Sequence, residues 1–142
     1  MRVIIDANVW ISYLLDDRPA STVINVVKFC LSGAVDLLVP QEVFDEVYKK
    51  IAEKEDLRKR ISTSKVTALK SALEAGAIIP EQLSEPMASV SRDRKDDYLI
   101  AYGLAEDADI LISGDLDLLD IRQIGGLSIV SVANFHQRIA TS

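Results

Sequence analysis

Short apolar runs alternate with stripes of apolar residues at helical spacing along this chain, and the alternation predicts a series of strand and helix units. Arg2 to Ile5 is brief and β-branched and reads as a buried strand, followed by a helical segment from Val9 to Leu15. Asp16-Asp17-Arg18-Pro19 breaks the pattern. Ser21 or Thr22 can cap a second helix, whose Val23, Ile24, Val26, Val27, Cys30 and Leu31 give a broad buried face, with Gly33 as its stop. Val35 to Val39 predicts a second strand, and Pro40 opens a helix with Val43, Val47, Tyr48 and Ile51 on its apolar stripe.

A charged connection then leads to a helix carrying Val66, Leu69 and Leu73, closed by Gly76, and Ala77-Ile78-Ile79 reads as a short strand. Glu81 to Arg92, with Pro86 and several serines, is loop-like. The later pattern predicts a helix from Lys95 to Ala105, a strand from Asp109 to Ser113, a loop with Leu118 and Leu119, a strand from Leu127 to Val132, and a helix from Ala133 to Ile139. Strands alternating with helices predict a three-layer α/β/α fold around a mostly parallel sheet. At 142 residues, with no repeat or linker, residues 1–142 are expected to form a single domain.

Composition narrows the chemistry. The lone Cys30 sits among Val26, Val27, Phe29 and Leu31 and is expected to be a buried thiol. His136 is the one histidine, which disfavours a zinc site and histidine-based nucleophilic catalysis. The absence of a long apolar run points to a cytoplasmic protein without a membrane partner. A net charge of −6 argues against nucleic acid, yet Lys49, Lys50, Lys54, Arg58, Lys59, Arg60, Lys65 and Lys70 cluster locally. Lys49, Lys50 and Lys54 are therefore candidate nucleic-acid contacts, although such a run is more often a solvated face.

Four acids stand at similar places in separate units. Asp6 closes the first strand, Glu46 lies just beyond the second, Asp97 stands at the start of a helix, and Asp115 closes the run Ile110 to Gly114. Each has an ordinary explanation: Asp6 as a strand-end turn, Glu46 as a solvated helix residue, Asp93, Asp96 or Asp97 as a helix cap, Asp115 and Asp117 as turn formers. Those explanations leave their recurrence at strand exits unexplained, because a parallel sheet brings strand exits to one edge. Crowded carboxylates with no Cys or His partner point to Mg²⁺ or Mn²⁺ and to metal-activated water attacking a phosphodiester.

At these motifs the chain resembles PIN-domain proteins, and among them the VapC-like toxin ribonucleases of toxin–antitoxin pairs. Val3-Ile4-Ile5-Asp6-Ala7-Asn8-Val9 is similar to the family's first strand and Asp, Val43-Phe44-Asp45-Glu46-Val47 to its helical Glu, and Asp96-Asp97-Tyr98-Leu99-Ile100-Ala101 to its third acid. Ser113-Gly114-Asp115-Leu116-Asp117 is similar to its Thr/Ser, any residue, Asp signature. The resemblance implies Asp6, Glu46, Asp97 and Asp115 as metal-centred catalytic acids, Asp117 as a fifth ligand, and Asn8, Ser113 and Asp96 as supporting polar groups. It also implies an RNA substrate and a cognate antitoxin protein. Arg94 and Ser113 depart from the family's commoner Pro and Thr, and neither change removes a ligand. The expected activity is Mg²⁺- or Mn²⁺-dependent endoribonuclease. Alternatives are a housekeeping RNA-processing or structure-specific nuclease, or a non-catalytic nucleic-acid or protein-binding module. A phosphoacceptor domain is disfavoured, because no acid adjoins Asp6 and no Lys follows Asp115. Exposed Trp10, Tyr13, Leu14 and Leu15 would further predict a homodimer.

Overall fold

A computed structural model describes residues 1–83 and 97–141, with Asp97 described through its main chain alone. Its elements in chain order are β1 (Arg2–Ile5), α1 (Ala7–Leu15), α2 (Thr22–Leu31), β2 (Asp36–Leu38), α3 (Gln41–Glu53), α4 (Glu55–Arg60) and α5 (Thr63–Gly76). After the undescribed stretch come α6 (Asp97–Ala105), β3 (Ile110–Ile112), α7 (Leu116–Leu119), β4 (Gln123–Ile124), β5 (Leu127–Val130) and α8 (Val132–Thr141). The sheet order is β2-β1-β3-β5-β4, parallel throughout except for the antiparallel β4.

β1 has neighbours on both sides, with Ile4 opposite Leu38 and Leu111, so its Val3-Ile4-Ile5 run is sealed from water. A parallel strand covered on both faces needs continuous apolar sequence, and β3, Ile110-Leu111-Ile112, is also wholly buried. The chain steps from β1 to β2 in one direction and returns across β1 to β3 in the other. Right-handed crossovers in opposite directions place helices on opposite faces, giving the three-layer α/β/α arrangement. Trp10 and Leu14 of α1, Val26, Val27 and Cys30 of α2, Leu99 of α6 and Phe135 of α8 join the sheet in one core. Burial pushes the Cys30 thiol up to about 12, as expected of a packing residue.

Several local expectations change. Ala77 to Ile79 contributes one parallel bridge, Ile78 to Leu38, instead of a strand. β2 offers only three residues for pairing, and Pro80 has no N–H with which to extend a ladder. The charged connection contains α4: Glu55 and Asp56 lie at its N-terminus and Arg58, Lys59 and Arg60 at its C-terminus, matching the helix dipole. Leu118 and Leu119 lie in the one-turn α7, not a loop. The strand anticipated to Val132 stops at Val130, because Ser131 turns its hydroxyl to the Asn134 N–H and starts α8. Trp10 and Leu14 are buried inside the chain and Tyr13 and Leu15 are partly covered, so the apolar surface invoked for pairing is spent on the protein's own core.

Candidate acid centre at the strand-exit edge

Asp6 follows β1 with an extended backbone and caps α1, its Oδ1 accepting the Asn8 N–H at 3.4 Å. It is also pinned to the sheet, since its own N–H donates to the Ile112 carbonyl at 2.9 Å. Asp115 repeats the arrangement after β3, capping α7 through the Asp117 N–H at 2.8 Å. The turn and cap readings of these aspartates are thus correct, and the same geometry brings the two acids to one edge.

Ser113 joins them. Its hydroxyl donates to Asp6 Oδ2 at 2.8 Å and accepts the Asp115 N–H at 3.0 Å. Asp6 and Ser113 are the buried polar side chains among the described residues, both within 1 % of full burial. Desolvation raises the Asp6 pKa, opposed by the bonds from Ser113 and the Asn8 backbone and by the Lys50 charge, and reinforced by Asp115. A carboxyl held at that depth beside a second acid is suited to binding a cation.

Lys50 lies beside the same centre, with its side chain partly exposed. Its ammonium donates to Asn8 Oδ1 at 2.7 Å and stands 3.9 Å from Glu46 Oε2, one helical turn earlier on α3. Asn8 and Glu46 are therefore gathered around Lys50, and Asp6 and Asp115 around Ser113. Among the described residues no three His, Cys, Asp or Glu side chains form a ready-made metal cage. Glu46 stands beside Lys50, and the charge of Asp115 bears on Asp6. Asp117 contributes its N–H to the Asp115 cap. Asp96 and the Asp97 side chain lie outside the described residues; the Asp97 main chain starts α6. Lys49 and Lys54 are exposed at the end of α3.

The sequence reading missed a brace between α6 and α3. The Tyr102 hydroxyl, buried, donates to the Glu42 carboxylate at 2.8 Å and accepts the Leu83 N–H at 3.2 Å. Glu42 precedes Glu46 by one turn, so the brace fixes the helix that carries Glu46. Only the i,i+4 spacing of Glu42, Glu46 and Lys50 hinted at a shared polar face.

A family model described as PIN domain matches residues 2–117. The chain belongs to the PIN domain family. No match is found among curated proteins. Among solved structures, this PIN domain is similar to a chain in the crystal structure of VapBC2 from Rickettsia felis bound to a DNA fragment from their promoter. The identity is 12%, the TM-score 0.55, and the alignment covers 92% of this chain and 98% of that one. At that identity the likeness is one of fold.

The donor set fits a hard divalent cation. Asp6, Asp115 and Glu46 offer oxygen only, and the burial that raises the Asp6 pKa makes a bound positive charge favourable there. Lys50 supplies such a charge in part.

Proposed function

We propose that this PIN domain is a metal-dependent endoribonuclease that hydrolyses RNA phosphodiester bonds, acting in the cytoplasm as the toxin of a toxin–antitoxin pair. The observation that carries the reading is Ser113, whose hydroxyl donates to the buried Asp6 carboxyl and accepts the Asp115 N–H on the strand-exit edge. Packing alone does not call for a buried carboxyl that also feels the charge of a second acid, whereas a bound cation would balance both. Among the described residues no helix is long and apolar enough to cross a membrane.

Asp6, Asp115 and Glu46 would hold Mg²⁺ or Mn²⁺, joined by Asp97, with Asp117 beside them. When bound, the ion supplies a water of lowered pKa and neutralises charge on the scissile phosphate. Ser113 fixes the rotamer of Asp6 and the backbone of Asp115 together, which keeps the two ligands in register. Asn8 and Lys50 orient Glu46 and present a positive charge to the phosphate. The similar VapBC2 chain comes from a complex with promoter DNA, which supports an antitoxin partner for this chain too.

Cleavage of a labelled RNA by the wild type and by Asp115→Asn, each with Mn²⁺ and with EDTA, tests the reading. Wild-type cleavage that needs the ion, and a loss of at least about a hundredfold in the variant, are expected from removal of a charged ligand. Equal cutting in EDTA, or full activity in Asp115→Asn, would overturn it.

A further inference from the structure

A separate cavity of about 410 Å³ opens beyond β3, beside β5. Arg122, Ser128, Ser131, Asn134 and Arg138 are among its walls, and among the described residues no carboxylate lines it, although the chain carries a net charge of −6. Among the described residues the ion pairs occupy Arg18, Lys50, Lys59, Arg60, Lys65 and Lys70, and neither Arg122 nor Arg138 takes part in one. Most of the basic run from Lys49 to Lys70 is thus neutralised locally, while these two arginines are not.

The main chain of Arg122 and the side chain of Arg138 are each fixed by hydrogen bonds. Arg122 has φ +65°, a left-handed conformation that an ordinary side chain rarely adopts. Two hydrogen bonds impose it: its N–H donates to the Leu119 carbonyl at 3.2 Å, and its own carbonyl accepts the Ile129 N–H at 2.8 Å. Arg138 donates Nε to Asn134 Oδ1 at 3.1 Å, which leaves its remaining guanidinium donors for another acceptor.

The cavity adjoins the acid centre. Leu119, on its wall, ends the single turn that Asp115 caps, about 6 Å along the axis at 1.5 Å per residue. Ser131 follows Val130, whose carbonyl accepts the Ser113 N–H at 3.0 Å. Two arginines on one cavity wall with no acid among its described lining, one strand over from Asp115 and two from Asp6, suit a polyanion that crosses both sites. Guanidinium forks match phosphate oxygens and bind them in a fixed orientation.

We propose that Arg122 and Arg138 form a subsite for a backbone phosphate of single-stranded RNA, beyond the bond cut at the acid centre. The subsite rests on the ribonuclease reading and gives it a substrate track: the strand passes from the Asp6–Asp115 edge over α7 to the β5–α8 corner.

The test is fluorescence anisotropy with a fluorescein-labelled twelve-nucleotide RNA of mixed sequence, in the cleavage-deficient Asp115→Asn background of the full chain. Arg122→Gln and Arg138→Gln, alone and together, are titrated from about 50 to 200 mM salt. Each is expected to weaken binding several-fold and to flatten the log–log salt dependence by about 0.7, the value for one phosphate contact on a single strand. Arg122→Lys and Arg138→Lys should keep the slope, and thermal melting confirms that each variant is folded. Unchanged affinity and slope in the double Gln variant overturn the subsite and leave the nuclease reading intact. If the parent protein binds no RNA at any salt, both fall.

Discussion

Asp6 is both a helix cap and an ionisable group sealed from water, and the two roles pull its energetics in opposite directions. Its folded pKa lies above the ordinary 3.8, so folding favours the protonated form. The stability this provides is complete below pH 3.8 and is lost as pH rises through the higher folded value, leaving an unfavourable charge in the metal-free protein at neutral pH. Asp6→Asn keeps an acceptor for Ser113 and removes that charge. In EDTA the variant is expected to melt at or above the wild-type temperature at pH 7, and to lose the acid-side part of the pH dependence. Lys50→Met should do the reverse, because the Lys50 charge lowers the Asp6 pKa; its metal-free melting temperature should fall more steeply towards neutral pH. Melting curves between pH 4 and 8 decide the matter, and a clear destabilisation of Asp6→Asn at pH 7 would contradict the account.

Gly103 shows how an element can be legible from sequence while its packing is not. Within α6 a glycine is unfavourable by helix propensity, and nothing in the local pattern calls for one. The reason lies across the sheet, where an added Cβ would meet Leu127 Cδ2 of β5 at 2.7 Å. Leu127 is buried, so its side chain has little room to withdraw. Gly103→Ala is therefore expected to cost about 1–3 kcal/mol in chemical denaturation despite its better propensity; a gain in stability would show that α6 and β5 can part. The same distinction runs through the site. Asp6 and Asp115 were readable as neighbours on one edge because each follows a short apolar strand and strand ends of a parallel sheet share an edge, whereas Ser113 was singled out only through the family resemblance. β1 and β3 were readable because continuous burial demands continuous apolar sequence. The reach of Lys50 to Asn8 was not legible, because a charge run reports solvent exposure on average and not the direction of one side chain. β4 was missed because its pairing rests on two residues, Gln123 and Ile124, and on Gly125 at φ +57°, too little for a periodic signal. The α4 turn was hidden because its residues form no apolar stripe and bury no side chain.

At the scale of the whole molecule, the burial of Trp10 and Leu14 removes the surface on which a pairing of two chains was first argued. The exposed large apolar side chains among the described residues are Met1, Ile78, Ile79, Leu104 and Leu116. Of these, Ile78 and Ile79 are contiguous and sit outside β2, at the open margin of the sheet, where Ile78 makes its bridge to Leu38. Sheet margins invite association, and Pro80 directly after this step limits continued backbone pairing there. A homodimer remains the proposed state, with side-chain contact over Ile78 and Ile79 as the surface best placed to support it. Light scattering of the wild type at tens of micromolar is expected to give twice the chain mass, and Ile79→Lys to shift the protein towards the single-chain mass without lowering its melting temperature, since Ile79 is 46% exposed. A wild-type protein that stays monomeric at that concentration would remove the homodimer, and a dimer indifferent to Ile79→Lys would move its interface elsewhere.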